Sequence, residues 1–161
     1  SKMEVKKLIA EIDDQWDLDS QVSKHFTLRE LLFGTNDRLL KSLSLDDQLV
    51  FLRSIQSSLD ENVLWNLRST AFLLEIIRAY LQEPVYVTCG YRPFSWEIYK
   101  GRSGNSKHAT GEAADITFET ADLDFVYDWI MTNIRIGGRG INRALSFIHI
   151  DSRPVFAEWS Y

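Results

Sequence analysis

The sequence predicts an α+β domain in which a helical N-terminal part packs on a small, mainly antiparallel sheet. Two observations carry this. Up to Gln82 the apolar residues recur at three- and four-residue spacing, as amphipathic helices require. After Pro84 the pattern shifts to short β-branched and aromatic runs separated by Gly and Pro. Helices grouped first and strands grouped later suit an α+β arrangement.

The elements follow in order. Val5, Leu8, Ile9, Ile12 and Trp16 form one stripe of a first helix, which Asp13, Asp14, Asp17 and Asp19 bring to an end. Thr27 and Glu30 make a capping-box pair before Leu28, Leu31 and Leu32, with Gly34 as the stop. Ser44 and Asp47 open a third segment through Leu49, Leu52, Ile55 and Leu59. Asp60 starts a fourth, running through Val63, Leu67, Ala71, Leu74 and Ile77 to Leu81, before Pro84. Being apolar on more than one side, it belongs deep in the fold.

Residues 85–88 then read as a strand ending at Gly90, and residues 91–107 as a long ordered loop held by Tyr91, Phe94, Trp96 and Tyr99. A second strand is predicted over residues 113–118, and a helix capped by Thr120 runs through Val126, Trp129, Ile130 and Ile134. Residues 137–140, Gly-Gly-Arg-Gly, read as a turn. Residues 146–151 and 155–159 are the closing strands, with Pro154 between them. Residues 1–24 are expected to be a helical extension, and residues 25–161 the main domain.

Composition narrows the function. The 161 residues suit one domain, and 45% apolar with 12% aromatic residues suffices for one core. Lys and Arg total 18 against 23 Asp and Glu, a formal charge of −5, which leaves no general basic surface for nucleic acid. The longest apolar run, residues 70–77 interrupted by Glu75, is far shorter than the roughly 20 residues of a membrane span. The lysines in residues 1–7 precede no apolar stretch, so no secretory signal is expected. With Cys89 the only cysteine there is no internal disulfide, and with three histidines any metal site must recruit carboxylates.

Two of those histidines lie beside carboxylates in the strand-rich half. One group is Ser106-Lys107-His108-Ala109-Thr110-Gly111-Glu112-Ala113-Ala114-Asp115; the other is Phe147-Ile148-His149-Ile150-Asp151. A catalytic zinc takes three protein donors about 2 Å away and keeps a fourth position open. His108, Asp115 and His149 are candidates for such a set. His149 and Asp151, two apart in a strand, share a face. Taken alone, a histidine beside apolar residues in a strand is more often a hydrogen-bonded core residue than a ligand.

The first group resembles the Ser-x-His-x-x-Gly-x-Ala-x-Asp signature of zinc D-alanyl-D-alanine carboxypeptidase-like peptidases, which share their fold with vancomycin-resistance dipeptidases, phage endolysins and the Hedgehog signalling domain. Cys89-Gly90-Tyr91-Arg92 resembles the family's Ser-Gly-Tyr-Arg, and Gly137-Gly138-Arg139-Gly140 its Gly-Gly-x-Gly. The second group, followed by Arg153 and Trp159, resembles its closing Phe-Val-His-Val-Asp. His25-Phe26-Thr27-Leu28 with Glu30-Leu31 resembles the opening helix of one branch. The matches run in order from about residue 25 to the end.

The resemblance implies that His108, Asp115 and His149 bind Zn2+ and that Arg92 and Ser106 hold the carboxylate or carbonyl of a peptide. An arginine fork suits a carboxylate; the alternatives are a structural salt bridge for Arg92 and a local backbone bond for Ser106. Many relatives place Glu or Asp three residues before the second histidine as general base, and here that residue is Ser146. Asp151 is the candidate base in its stead; its other reading is a carboxylate that orients a ligand histidine. The loop departs too, with Pro93-Phe94 and Glu97 where relatives often have Ser-Pro and then Asn, and Glu97 is within possible reach of the cleft. His25 reads as structural, and Cys89 as a small buried side chain.

The expected function is a zinc metallopeptidase that hydrolyses amide bonds in peptidoglycan stem peptides or crosslinks, phage-encoded and serving lysis or the virion. Such a protein would act from a phage virion or the host cytoplasm, delivered to the cell wall by others. The alternative is a non-catalytic structural or binding module, such as a virion component, that retains the fold. The N-terminal helix is a candidate docking element in either case.

Overall fold

The computed structural model describes residues 1–161. Five helices come first: α1 (Lys2–Trp16), α2 (Leu28–Phe33), α3 (Arg38–Ser42), α4 (Leu45–Ser58) and α5 (Glu61–Leu81). Then follow β1 (Val85–Cys89), α6 (Phe94–Tyr99), β2 (Ala113–Phe118), α7 (Leu123–Asn133), β3 (Gly138–Asn142), β4 (Phe147–Asp151) and β5 (Ala157–Ser160). No helix is long and apolar enough to cross a membrane.

The helix starts obey their local chemistry. Thr27 accepts from Glu30 N while the Glu30 carboxylate reaches back to Thr27 N, closing the expected capping box. Ser44 and Asp60 cap α4 and α5 through Asp47 N and Val63 N. α5 ends where Gln82 takes a left-handed conformation, two residues before Pro84. α7 is capped by Asp122 rather than Thr120, whose hydroxyl and amide instead bond Glu83.

The sheet has the order β1-β2-β4-β3-β5, antiparallel except for the β3/β5 pair. Strand alternation gives it two faces. Val85, Val87, Ala114, Ile116, Ile141, Ile148 and Ile150 point to one side and join Leu67, Ala71, Leu74 and Ile77 of α5 and Val126 and Ile130 of α7 in the core. α1 lies along α4 and adds Val5 and Ile12 to the same core. The expected division after residue 24 falls in the segment between α1 and α2. Asp115, His149 and Asp151 occupy the opposite face of the sheet, and a bulge between Val87 and Cys89 turns Cys89 onto it opposite Asp115.

Besides the cap of α7 and the short α3, two further parts differ from the sequence expectation. The Gly-Gly-Arg-Gly segment is not a turn but opens β3, a strand inside the sheet. Its glycines are needed because other groups lie on them. A Cβ at Gly138 would sit 2.5 Å from Asp151 Oδ2, and one at Gly140 would sit 2.3 Å from Trp159 Nε1. The loop after β1 contains α6, which starts at the residue after Pro93 and buries Trp96 and Glu97. That helix is too short for a periodic signal.

Candidate metal centre

Residues 107–110 form a 3-10 turn capped by Ser106, whose hydroxyl accepts from His108 N at 3.2 Å. Gly111 ends the turn at φ +83°, where a Cβ would press on Val63, so the chain passes from His108 into β2 and delivers Asp115. Register then sets Asp115 directly opposite His149 on β4.

The three side chains converge. His108 Nε2 lies 3.2 Å and His149 Nδ1 3.1 Å from the same oxygen, Asp115 Oδ1. Donors about 2.0 to 2.1 Å from a tetrahedral ion stand roughly 3.3 Å apart, so these spacings suit zinc. The outward nitrogens are each engaged, Nδ1 of His108 with Gly90 O at 2.7 Å and Nε2 of His149 with Asp151 Oδ2 at 2.8 Å. Such outward partners fix ring orientation and leave the inward nitrogens to the metal. All three residues are at least 90% buried. The two imidazoles meet on one Asp115 oxygen, which makes His108, Asp115 and His149 a candidate donor set for a zinc ion.

Cys89, His108 and Asp115 are the set whose donor atoms all lie within 4.8 Å of one another, and His149 joins it through Asp115 Oδ1. The Cys89 Sγ, however, is 3.9 Å from Nδ1 of His108, the nitrogen already facing Gly90 O. Cys89 thus stands behind the His108 ring.

Without metal the cluster is a charge network. Burial disfavours the His108 imidazolium, but Asp115 and Cys89 outweigh it and push its pKa up to about 10. Burial would raise Asp115, yet the two imidazoles hold its carboxyl well below the usual range. Asp151 is likewise held low by His149 and Arg153 against its burial.

Asp151 is fully buried, and its oxygens are fully engaged. Oδ1 accepts from the Gly138 and Arg153 backbone N–H groups and from Arg153 Nε; Oδ2 accepts from an Arg153 terminal nitrogen at 2.7 Å and faces His149 Nε2. This is the environment of a carboxylate that orients a histidine, and it differs from that expected of a general base with a free lone pair. Ser146 is exposed in the β3–β4 turn with φ 57°.

A cleft of about 380 Å³ opens over the cluster. Arg92 and Ser106 both line it, together with Lys107, Arg153, Trp159 and Tyr161. Arg92 Nε stands 2.9 Å from Glu97 Oε1 as an ion pair whose N–H points past the oxygen, while Glu97 is 1% exposed and also holds Arg102. Burial would lower the Arg92 pKa, but Cys89, Glu97 and Asp115 keep it charged. Glu97 therefore lies beneath the cleft rather than in it. Sequence reading missed its pairing with Arg92, although a lone acid between Arg92 and Arg102 in an aromatic loop is a visible hint. Trp159 packs on the His149 ring at 5.1 Å, with the Arg153 guanidinium over it at 5.2 Å. His25, away from this cluster, ties its loop to α5 through Nδ1 and Glu75 Oε1 at 2.6 Å.

A family model described as Peptidase M15 matches residues 41–151, which include His108, Asp115 and His149. No curated protein and no solved structure gives a significant match to the chain.

Proposed function

The chain belongs to the peptidase M15 family, a family of metallopeptidases, and from that membership we propose that it is a zinc peptidase of peptidoglycan stem peptides, held to its metal by His108, Asp115 and His149. The observation that carries this reading is the meeting of two inward histidine nitrogens on one Asp115 oxygen, each with its outward nitrogen already engaged. The specificity proposed is D,D-carboxypeptidase or endopeptidase, in a phage lysis or virion-associated setting suggested by the resemblance to phage endolysins.

When bound, zinc supplies Lewis acidity, polarising a carbonyl and lowering the pKa of water towards about 7. The chain's own residues do the rest. Arg92, braced through Nε by Glu97, presents its two terminal nitrogens as a fork for a peptide carboxylate. Lys107 and Arg153 make the cleft rim cationic on a chain of net charge −5, which favours an anionic peptide end. Asp151 holds the His149 ring in place, and Trp159 walls one side of the cleft. Ser106 orders the turn that carries His108.

A second reading, a non-catalytic module that keeps the metal, draws support from one observation: Asp115 is the only carboxylate lining the cleft. Elemental analysis with a peptidoglycan digest resolved by mass separates the two. Zinc at one per chain with new stem-peptide fragments supports the enzyme. Zinc without fragments on any peptidoglycan type supports the module.

A further inference from the structure

α5, α7 and the segment after α7 carry exposed apolar side chains that the chain itself does not cover. α5 and α7 meet there through their aromatic side chains. The Tyr80 ring near the end of α5 stacks on Trp129 of α7 at 4.2 Å and stands 6.4 Å from Phe125. Towards the start of α5, Trp65, Phe72 and Leu73 line a groove of about 490 Å³ with Ile136, which follows α7. Ile76 joins the two ends, since residues 65, 69, 72, 76 and 80 form one helical stripe. Trp65, Phe72, Tyr80, Phe125 and Ile136 are 44% to 66% exposed.

An aromatic side chain buries about 150 to 250 Å² when covered, so these half-exposed groups present on the order of 500 Å² of apolar surface. That is at the top of the range for a single chain, and it is the larger part of the roughly 800 Å² each partner gives to a standard interface.

We propose that this face pairs with a second copy of the chain in a two-fold dimer, with α5 antiparallel to the partner's α5. Three features of the face select a copy of itself as occupant. It has a protruding aromatic stack at one end and an open groove at the other, about 15 Å apart along α5 at 1.5 Å per residue. A two-fold axis near Ile76 puts each stack into the other copy's groove, and such an isologous contact closes at two chains. The charges follow the same order: Arg68 lines the groove and Asp128 precedes Trp129 of the stack in α7, both exposed, so the rotation brings each Arg68 towards the partner's Asp128. Glu112, the acid of the groove, is turned to its own Thr110 hydroxyl at 2.7 Å.

Sedimentation equilibrium on the full chain tests this. The expected mass is twice the 18.7 kDa of one chain, and Ile76→Glu or Phe72→Glu should weaken association by at least tenfold while the thermal melt persists. Arg68→Asp and Asp128→Arg should each weaken it, and the two combined should restore it. Should the acidic variants fail to fold, Ile76→Cys gives the same information: near the axis it cross-links to its own copy under mild oxidation, while Cys89 is buried and stays out of the reaction. A single-chain mass at high micromolar concentration overturns the proposal. So does a dimer indifferent to Ile76→Glu, a double reversal no better than its single changes, or an Ile76→Cys chain that does not cross-link.

Discussion

His149 Nε2 and Asp151 Oδ2 are 2.8 Å apart, on the side of the imidazole that faces away from Asp115. The carboxylate is buried and also receives Gly138 and Arg153, so at the proposed metal site it would act through the ring it orients. Asp151→Asn should lower zinc affinity by about 10- to 100-fold, the usual effect of losing a partner behind a ligand. Turnover at saturating zinc should persist. Competition with a chelator gives the affinity, and a variant with unchanged affinity and no turnover would return Asp151 to the role of base.

Glu97 supports Arg92 from below the cleft floor. Glu97→Gln removes the buried charge that faces the guanidinium and helps hold it in place. The expected result is a Michaelis constant raised about tenfold or more for peptides with a free C-terminal carboxylate, with kcat little changed. The C-terminal amides of the same peptides should show no such rise. Equal effects on acid and amide would make Glu97 a structural residue only.

The metal-free cluster sets a pH dependence. His108 has a folded pKa of about 10, above its unfolded value near 6.5. Its contribution to stability is therefore complete below about pH 6.5 and is lost as pH rises through about 10. A metal held by the nitrogen that faces Asp115 would have to displace its proton, so zinc affinity should rise about tenfold per pH unit across that window. Calorimetry in buffers of different ionisation enthalpy counts the proton, and a pH-independent affinity would contradict the network.

Arg139 is the residue of the glycine-rich segment that faces the helices. Fully buried, it donates to Ile130 O, Ile134 O and Ile136 O at 3.3, 2.8 and 2.9 Å and so caps the end of α7, with Phe156 stacked on it at 4.6 Å. Arg139→Met leaves buried carbonyls without donors and should cost about 3 kcal/mol, or roughly 6 to 12 °C in Tm for a chain of this size. Zinc affinity should not change, because the metal centre lies on the other face of the sheet. Thermal melting and chelator competition check the two halves of this expectation.

These cases show where the sequence was legible. Helix starts were plain where the cap is local, as at Thr27 and Glu30, and the strands of Asp115 and His149 were plain from the change of pattern after Pro84 to short strand-length runs. The Gly137–Gly140 segment misled because glycine reads as a turn, whereas here its missing side chains make room for Asp151 and Trp159 across the sheet. That reason is tertiary and leaves no local trace. The convergence of His108, Asp115 and His149 was suggested by motif order, but the outward partners Gly90 O and Asp151 depend on a bulge and a register that only the fold supplies. Glu97 read as a residue of the cleft because nothing local shows that it is buried against Arg92 and Arg102.

The most direct test is zinc-edge X-ray absorption on the zinc-loaded protein, since nitrogen and oxygen donors lie near 2.0 Å and a thiolate near 2.3 Å. The expected spectrum has a shell of nitrogen and oxygen with two imidazoles and no sulfur, unchanged by Cys89→Ser and lost with His149→Ala. A sulfur shell near 2.3 Å, lost with Cys89→Ser and indifferent to His149, would contradict the His108, Asp115 and His149 centre.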